Sequence, residues 1–295
     1  MAIDKKMAVR LAKVCEWIYD FTPSRKAELL KFKGKLPQKT RQIKDDNRVH
    51  TSFAGIIEYS DIIVVAFQGT ITEVGLDGEF RFDTLLDWLN NIRIKQLATR
   101  HTNLPGLVHE GFFRQLDLVS DKVMKALPKN GEKPIVVTGH SQGGAEATLA
   151  TKLLIDNGFP VRETYTFAAP RAADAVFAKS IKTPFYRVEF GDDIVPHVPP
   201  SLENGSLLTD VLTRIPSFAL PKILKSFKKV LNKAKNQSYV GVGKLTYRNE
   251  DGKLLTDRTA AQEKAMFNKR RFQLLTARKD LVTHHSLKHY VAMFS

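Results

Sequence analysis

The run Val136-Val137-Thr138-Gly139-His140-Ser141-Gln142-Gly143-Gly144 constrains this chain more than any other. An apolar segment of strand type passes straight into Gly-x-Ser-x-Gly and then into residues that favour helix. A serine on so short a strand-to-helix connection sits on a sharp turn, and the residues two before and two after it must be almost bare of side chain. Gly139 and Gly143 meet that need. The turn holds the Ser141 hydroxyl out above the sheet. The backbone N–H of Gln142 and the first turn of the following helix point at the same spot, where an anionic oxygen would find donors. Read alone, the pattern also fits an ordinary glycine-bracketed turn.

Two more segments supply what an activated serine needs, in the chain order Ser, Asp, His. Phe185-Tyr186-Arg187-Val188-Glu189-Phe190 reads as a strand, and Gly191-Asp192-Asp193-Ile194-Val195-Pro196 puts an acid on the loop at its C-terminal end, where sites in α/β sheets are built. Near the C-terminus, Thr283-His284-His285-Ser286-Leu287-Lys288-His289-Tyr290 sets histidines ahead of a short helix. Imidazole can take the serine proton and return it near neutral pH. The residue types leave Asp192 open beside Asp193, as a turn cap or a solvated acid. His284 and His289 read as solvated surface residues and His197 as a loop residue.

From about Ser52 to Tyr290 the chain resembles the class 3 lipases, whose best-known members are fungal triacylglycerol lipases. Val65-Ala66-Phe67-Gln68-Gly69-Thr70 is similar to the family's strand ending in Phe-Arg-Gly-Thr, and Asp87-Trp88 to the Asp-Trp that follows its lid. His109-Glu110-Gly111-Phe112 is similar to His-x-Gly-Phe, and Phe167-Ala168-Ala169-Pro170-Arg171 to Phe-Gly-x-Pro-Arg. Asp193-Ile194-Val195-Pro196 looks like the acid segment and Tyr239-Val240-Gly241-Val242-Gly243 like the last strand. The resemblance implies an α/β-hydrolase fold acting on lipid esters, triacylglycerols or phospholipids. Carried over position by position, it implies Ser141 as nucleophile, Asp193 as acid, His285 as base and Thr70 with Gln142 as oxyanion hole. His285 is the histidine in the His-Ser-x-x-x-Tyr position. Gln68 departs from the family's arginine and bears on the Thr70 loop; Ala168 departs from its glycine and adds a methyl group beside the site. His109 reads as a support for the oxyanion loop or a structural histidine, and His140 as packing beside the elbow.

The implied chemistry is acyl transfer through an acyl-enzyme, which needs no metal or organic cofactor. The sequence has no Cys/His cluster at zinc spacing, no Gly-x-Gly-x-x-Gly after a strand and no phosphate loop. Other readings are an esterase for small soluble esters, a lipase-like interaction protein without catalysis, and a basic protein that binds membranes or nucleic acid. A complete Ser141, Asp193 and His285 set argues against the non-catalytic reading.

A chain of 295 residues, 43% hydrophobic, can bury a large core, and residues 1–295 read as one catalytic domain with a mainly parallel sheet flanked by helices. Helices are expected over Lys6–Tyr19, Leu85–Ile94 and Gly111–Leu127, and strands near Ser52–Glu58, Ile62–Phe67, Ile135–Gly139, Glu163–Ala168 and Phe185–Phe190. Residues 71–86 read as a lid-like segment, with Gly75 and Gly78 as hinges and Val74, Leu76, Phe80 and Phe82 as apolar cover, or as a loop fixed to the core. The lone Cys15 excludes an intramolecular disulfide, and the N-terminus has no apolar core of a secretory signal. Cytoplasmic residence, or release by a route without a cleaved signal peptide, is the expectation.

The formal net charge is +15. No acidic residue occurs from Val211 to Asn249, where lysines alternate with an apolar stripe of Ile223, Leu224, Phe227, Val230 and Leu231. Residues 207–236 read as a basic helical insertion, either packed with a solvated lysine face or docked on an anionic membrane surface through Lys222, Lys225, Lys228, Lys229 and Lys233. A second basic run, Lys31 to Lys44, reads as a solvated loop. No nucleic-acid motif accompanies the charge, so no specific nucleic acid is expected.

Overall fold

The computed structural model describes residues 2–19, 30–32, 36–44, 53–69, 95–98, 104–128, 131, 133–201, 237–256 and 283–294, with separate helical positions between 225 and 233 and between 262 and 269. Thr70, the lid-like segment, the helix expected over Leu85–Ile94, Lys222 and most of the basic insertion lie outside the described residues.

The strands are β1 (Lys39–Lys44), β2 (Phe53–Glu58), β3 (Ile63–Phe67), β4 (Gln96–Leu97), β5 (Val108–His109), β6 (Ile135–His140), β7 (Val161–Phe167), β8 (Phe185–Phe190), β9 (Lys244–Arg248) and β10 (Leu254–Leu255). Described helices are α1 (Lys5–Tyr19), α2 (Glu110–Ala126), α3 (Gln142–Asp156), α4 (Ala175–Ser180) and α5 (Leu287–Ala292). Eight strands form one sheet in the order β1-β2-β3-β6-β7-β8-β9-β10, while β4 and β5 pair separately. From β3 to β9 the neighbours are parallel, and both ends are antiparallel.

Alternation along the central strands explains the layers. Ile63, Val65 and Phe67 of β3 and Ile135 and Val137 of β6 face a core with Phe112, Leu116 and Val119 of α2 and Leu149 and Leu153 of α3. Val64, Ala66 and Val136 face the other way, into a core with Leu11, Val14 and Ile18 of α1, Tyr290 of α5 and Met293 just after it. A strand covered on both faces reads as an apolar run, as Ile63–Phe67 of β3 and Ile135–Val137 of β6 do.

Two expectations are corrected. Lys39–Lys44, expected as part of a solvated loop, is edge strand β1, paired with β2 from Lys39 opposite Glu58 to Lys44 opposite Phe53. Arg41 and Ile43 turn inward while Thr40, Gln42 and Lys44 stay exposed, so a charged edge is compatible with pairing on one side. The Arg41 guanidinium also donates to the Ala126 carbonyl at 2.6 Å. Further on, Tyr239–Gly243 is not the last strand: Tyr239 and Val242 pack into the core, but the segment's one strand-type pairing is a bridge from Val240 to Ala173, and β9 begins at Lys244. Gly243, at φ +81°, turns the chain before the ladder with β8 can start.

Candidate active site

The site grows from the end of β6. Ser141 has φ 56° and ψ −132°, a strained backbone for a residue with a side chain, and α3 begins at the next residue. Neighbours hold it there: the Ser141 N–H donates to the Phe167 carbonyl of β7 at 2.9 Å, and the Ser141 carbonyl accepts from Gly144 N–H at 2.9 Å. The two glycines are required by contact. A Cβ on Gly139 would stand 2.1 Å from the Gly143 carbonyl oxygen, and one on Gly143 would stand 2.2 Å from that of Phe67. The elbow closes because backbone lies where side chains would be.

Asp193 follows β8, two strands along from β6, and His285 lies just before α5. His285 Nε2 is 2.9 Å from Ser141 Oγ, and its Nδ1 is 2.9 Å from Asp193 Oδ2. All three are buried. Asp193 Oδ1 accepts from Val195 N–H at 2.9 Å, and Oδ2 accepts from the Tyr290 hydroxyl at 2.7 Å. These bonds fix the carboxylate, which in turn fixes the imidazole. Burial first, and then the neighbouring Asp193 charge, hold the Tyr290 phenol well above its ordinary range, so it stays a donor. Sequence reading used Tyr290 only to mark His285; its bond to Asp193 crosses 97 positions and has no local signal. Tyr290→Phe should leave a buried carboxylate short of one donor. The expected cost is about 1–3 kcal/mol in unfolding free energy, measured by denaturant titration, with a smaller loss of turnover.

His140 holds His285 from the other side. Its Nε2 lies 3.0 Å from the His285 carbonyl, which can only accept, so Nε2 carries the proton and Nδ1 accepts from the Tyr19 hydroxyl at 3.0 Å. Burial, followed by His285, pushes His140 down to about 3 and keeps it neutral. His109 caps α2, with Nδ1 accepting from Phe112 N–H at 3.3 Å and its ring stacked on Phe112. It is fully buried and pushed by burial to about 3, which suits a structural histidine.

The rival residues point elsewhere. Asp192 is buried but pairs with the Lys269 ammonium at 2.8 Å, and its N–H donates to His284 Nδ1 at 3.0 Å. His284 and His289, expected on the surface, pack on the Phe190 ring at centroid distances of 5.4 and 4.9 Å. Among the described residues, Asp192, Glu250 and His284 are the one grouping of metal-ligand type, and the Lys269 ammonium stands 2.8 Å from Asp192 and 3.8 Å from Glu250. Gln142 opens α3, and its side chain donates to Glu146 Oε1 at 2.9 Å. Gln68 donates through Nε2 to the Ile18 carbonyl at 2.5 Å, so in place of an arginine it ties this loop to α1. Ala168 does more than add a methyl group: its φ is +51°, a left-handed conformation in which Cβ is strained.

A serine on a strained elbow, contacting an imidazole that contacts a buried aspartate, on this mainly parallel sheet, defines the α/β-hydrolase class. Within that class, residues 64–203 match the family model for class 3 lipases. The secreted mono- and diacylglycerol lipase 1 of Fusarium solani is 39% identical over 145 residues, covering 47% of this chain and 39% of the relative. A chloroplastic phospholipase A(1) of Arabidopsis thaliana is 28% identical over 162 residues, covering 46% of this chain and 33% of the relative. The chain thus spans well under half the length of these relatives. The solved triacylglyceride lipase of Rhizomucor miehei shares the fold, with a TM-score of 0.62 over 90% of this chain and 91% of that one at 16% identity.

Relatives from Fusarium solani, Penicillium cyclopium and Malassezia globosa are named secreted. That overturns the expectation of cytoplasmic residence. The features behind it report packing and not compartment: Cys15 is wholly buried, 3.5 Å from Thr138 Oγ1, and the first residues form α1 against the sheet.

Proposed function

We propose that this chain hydrolyses carboxylic esters of lipids, acylglycerols or phospholipids, outside the cytoplasm. The observation that carries the reading is the buried line Asp193–His285–Ser141, with both contacts at 2.9 Å. His285 takes the Ser141 proton as Oγ attacks the ester carbonyl, and Asp193 orients the ring and stabilises its cation. The Gln142 N–H at the head of α3, with Thr70 as the family resemblance implies, receives the oxyanion. His285 then protonates the leaving alcohol, and water, deprotonated by the same imidazole, releases the acid from Ser141. No metal enters these steps. The names of the relatives, an acylglycerol lipase and a phospholipase, favour lipid esters over small soluble ones.

The test is turnover of purified protein on short and long p-nitrophenyl esters, an acylglycerol emulsion and anionic phospholipid vesicles. Long-chain substrates should be cleaved, and a serine-reactive phosphonate should stop the reaction by modifying Ser141. Absence of turnover on every ester would overturn the reading. The basic insertion is proposed to bind the anionic lipid surface. Lys225, Lys229 and Lys233 are helical and exposed, and Lys228 is half-buried. Each lysine that reaches an anionic surface contributes about 1 kcal/mol. Changing these four to glutamine should therefore cut binding of Ser141→Ala protein to anionic vesicles in a sedimentation assay, as roughly 0.5 M salt should for the parent. Equal binding by the quadruple variant would assign these lysines to a solvated face.

A further inference from the structure

Glu146 stands on α3 one turn after Gln142, and it is 1% exposed. Its Oε1 accepts from Gln142 Nε2 at 2.9 Å, while Oε2 has no hydrogen-bond partner. Among the described residues no cation pairs with it, and Gln142 is the one side chain that favours its charged form. Burial therefore dominates and pushes the carboxyl up to about 8. A bare carboxylate in such a place would lack both water and a counter-charge.

The titratable groups around it are neutral as well. Tyr19 faces it from α1, with its phenol held above the ordinary range by burial and then by Cys15 and Glu146. Beyond Tyr19 lie Cys15, pushed up to about 12 by burial, and His140 from β6, pushed down to about 3. No charged side chain of β3, β7 or α2 among the described residues acts on Glu146. As pH rises, the first charge to appear in this cluster is the one on Glu146. It would arise behind the residue whose N–H is proposed to receive the oxyanion. A fixed negative charge there opposes the charge that develops in the transition state.

We propose that Glu146 is a positioning residue for the oxyanion side of this site: as a neutral acid it holds the Gln142 side chain along α3, and its ionisation disables the site at alkaline pH. The catalytic half of this proposal rests on the hydrolase reading above.

The experiment has two arms. Glu146→Gln keeps the shape and the acceptor for Gln142 but cannot ionise. With a short soluble ester, parental kcat/KM should fall above about pH 8, while Glu146→Gln should stay level, so that their ratio grows up to about tenfold per pH unit. Glu146→Leu, which offers Gln142 no acceptor, should be slower at every pH and also lack the alkaline fall. A purely structural role would lower the rate by one factor at all pH values and leave the fall in place. An alkaline limb unchanged by Glu146→Gln overturns the proposal.

The second arm needs no turnover and uses Ser141→Ala protein. A carboxyl held at about 8 in the fold and 4.5 otherwise binds more protons folded than unfolded. Its contribution to stability is therefore full below about 4.5 and is lost as pH rises through about 8. Glu146→Gln should accordingly raise the unfolding temperature relative to its parent by an amount that grows between about pH 5 and 8. A difference independent of pH would overturn the neutral acid itself. If wild-type protein cleaves no ester, the hydrolase reading and the catalytic half fall together, while the unfolding arm still decides the protonation state.

Discussion

Replacing Ser141 or His285 by alanine is expected to lower kcat on a lipid ester by about 10⁶-fold, because in the proposed mechanism either change removes the nucleophile or the base that activates it. Asp193→Asn should cost about 10⁴, since it misorients the ring without deleting it. Ser141→Ala combined with His285→Ala should be no worse than Ser141→Ala alone, the mark of groups that act as one unit. Asp192→Asn should leave turnover within about tenfold, because its carboxylate meets Lys269 and not His285. Steady-state rates on one soluble and one emulsified ester decide all four. Folded Ser141→Ala protein with parental turnover would remove Ser141 from the mechanism. A large loss with Asp192→Asn alone would move the acid by one residue.

Adding a single methyl group at Gly139 or Gly143 is expected to cost more than about 4 kcal/mol of unfolding free energy, a large share of what a domain has. Each new Cβ would fall within 2.2 Å of a backbone carbonyl oxygen, and backbone in a packed sheet cannot withdraw as a flexible side chain can. Gly139→Ala and Gly143→Ala should thus appear as loss of soluble protein or a sharp drop in the denaturant midpoint. A neighbouring change of similar size on an open glycine is the control: Gly158→Ala meets no atom within 4 Å, and its cost should come from its φ of +79° alone. A Gly143→Ala midpoint equal to that of the wild type would show that the elbow can relax.

The central sheet was legible because a strand buried on both faces leaves an unbroken apolar run, as in Ile63–Phe67 and Ile135–Val137. The elbow was legible because its glycines answer a local steric demand. What stayed hidden was set by partners distant in sequence. Asp192 and Asp193 are equally buried neighbours, and they differ only in what each meets: Lys269 in one case, His285 in the other. His284 and His289 carry no apolar signature, yet Phe190 covers both. β1 was missed because its outward residues are polar and its inward face is only half covered. Ala168 is an ordinary letter whose backbone is not ordinary. Glu146, in an alanine-rich helix, would pass for a solvent-facing residue, although α3 turns it inward.

Ser141 and His285 are separated by 144 positions, and α5, which follows His285, rests on α1 at the opposite end of the described chain. The reactive hydroxyl thus acquires its base only after the most distant parts of the polypeptide have met. Closures of that span are slow to form, and they come after local helices and hairpins. A partly folded chain can therefore carry the elbow, the helix behind it and much of the sheet while remaining inert. During refolding, turnover should return after the helical signal has recovered, so that activity times the joining of the two ends. On the proposed hydrolase reading, a chain that is still collapsing has no armed serine with which to attack the lipids around it.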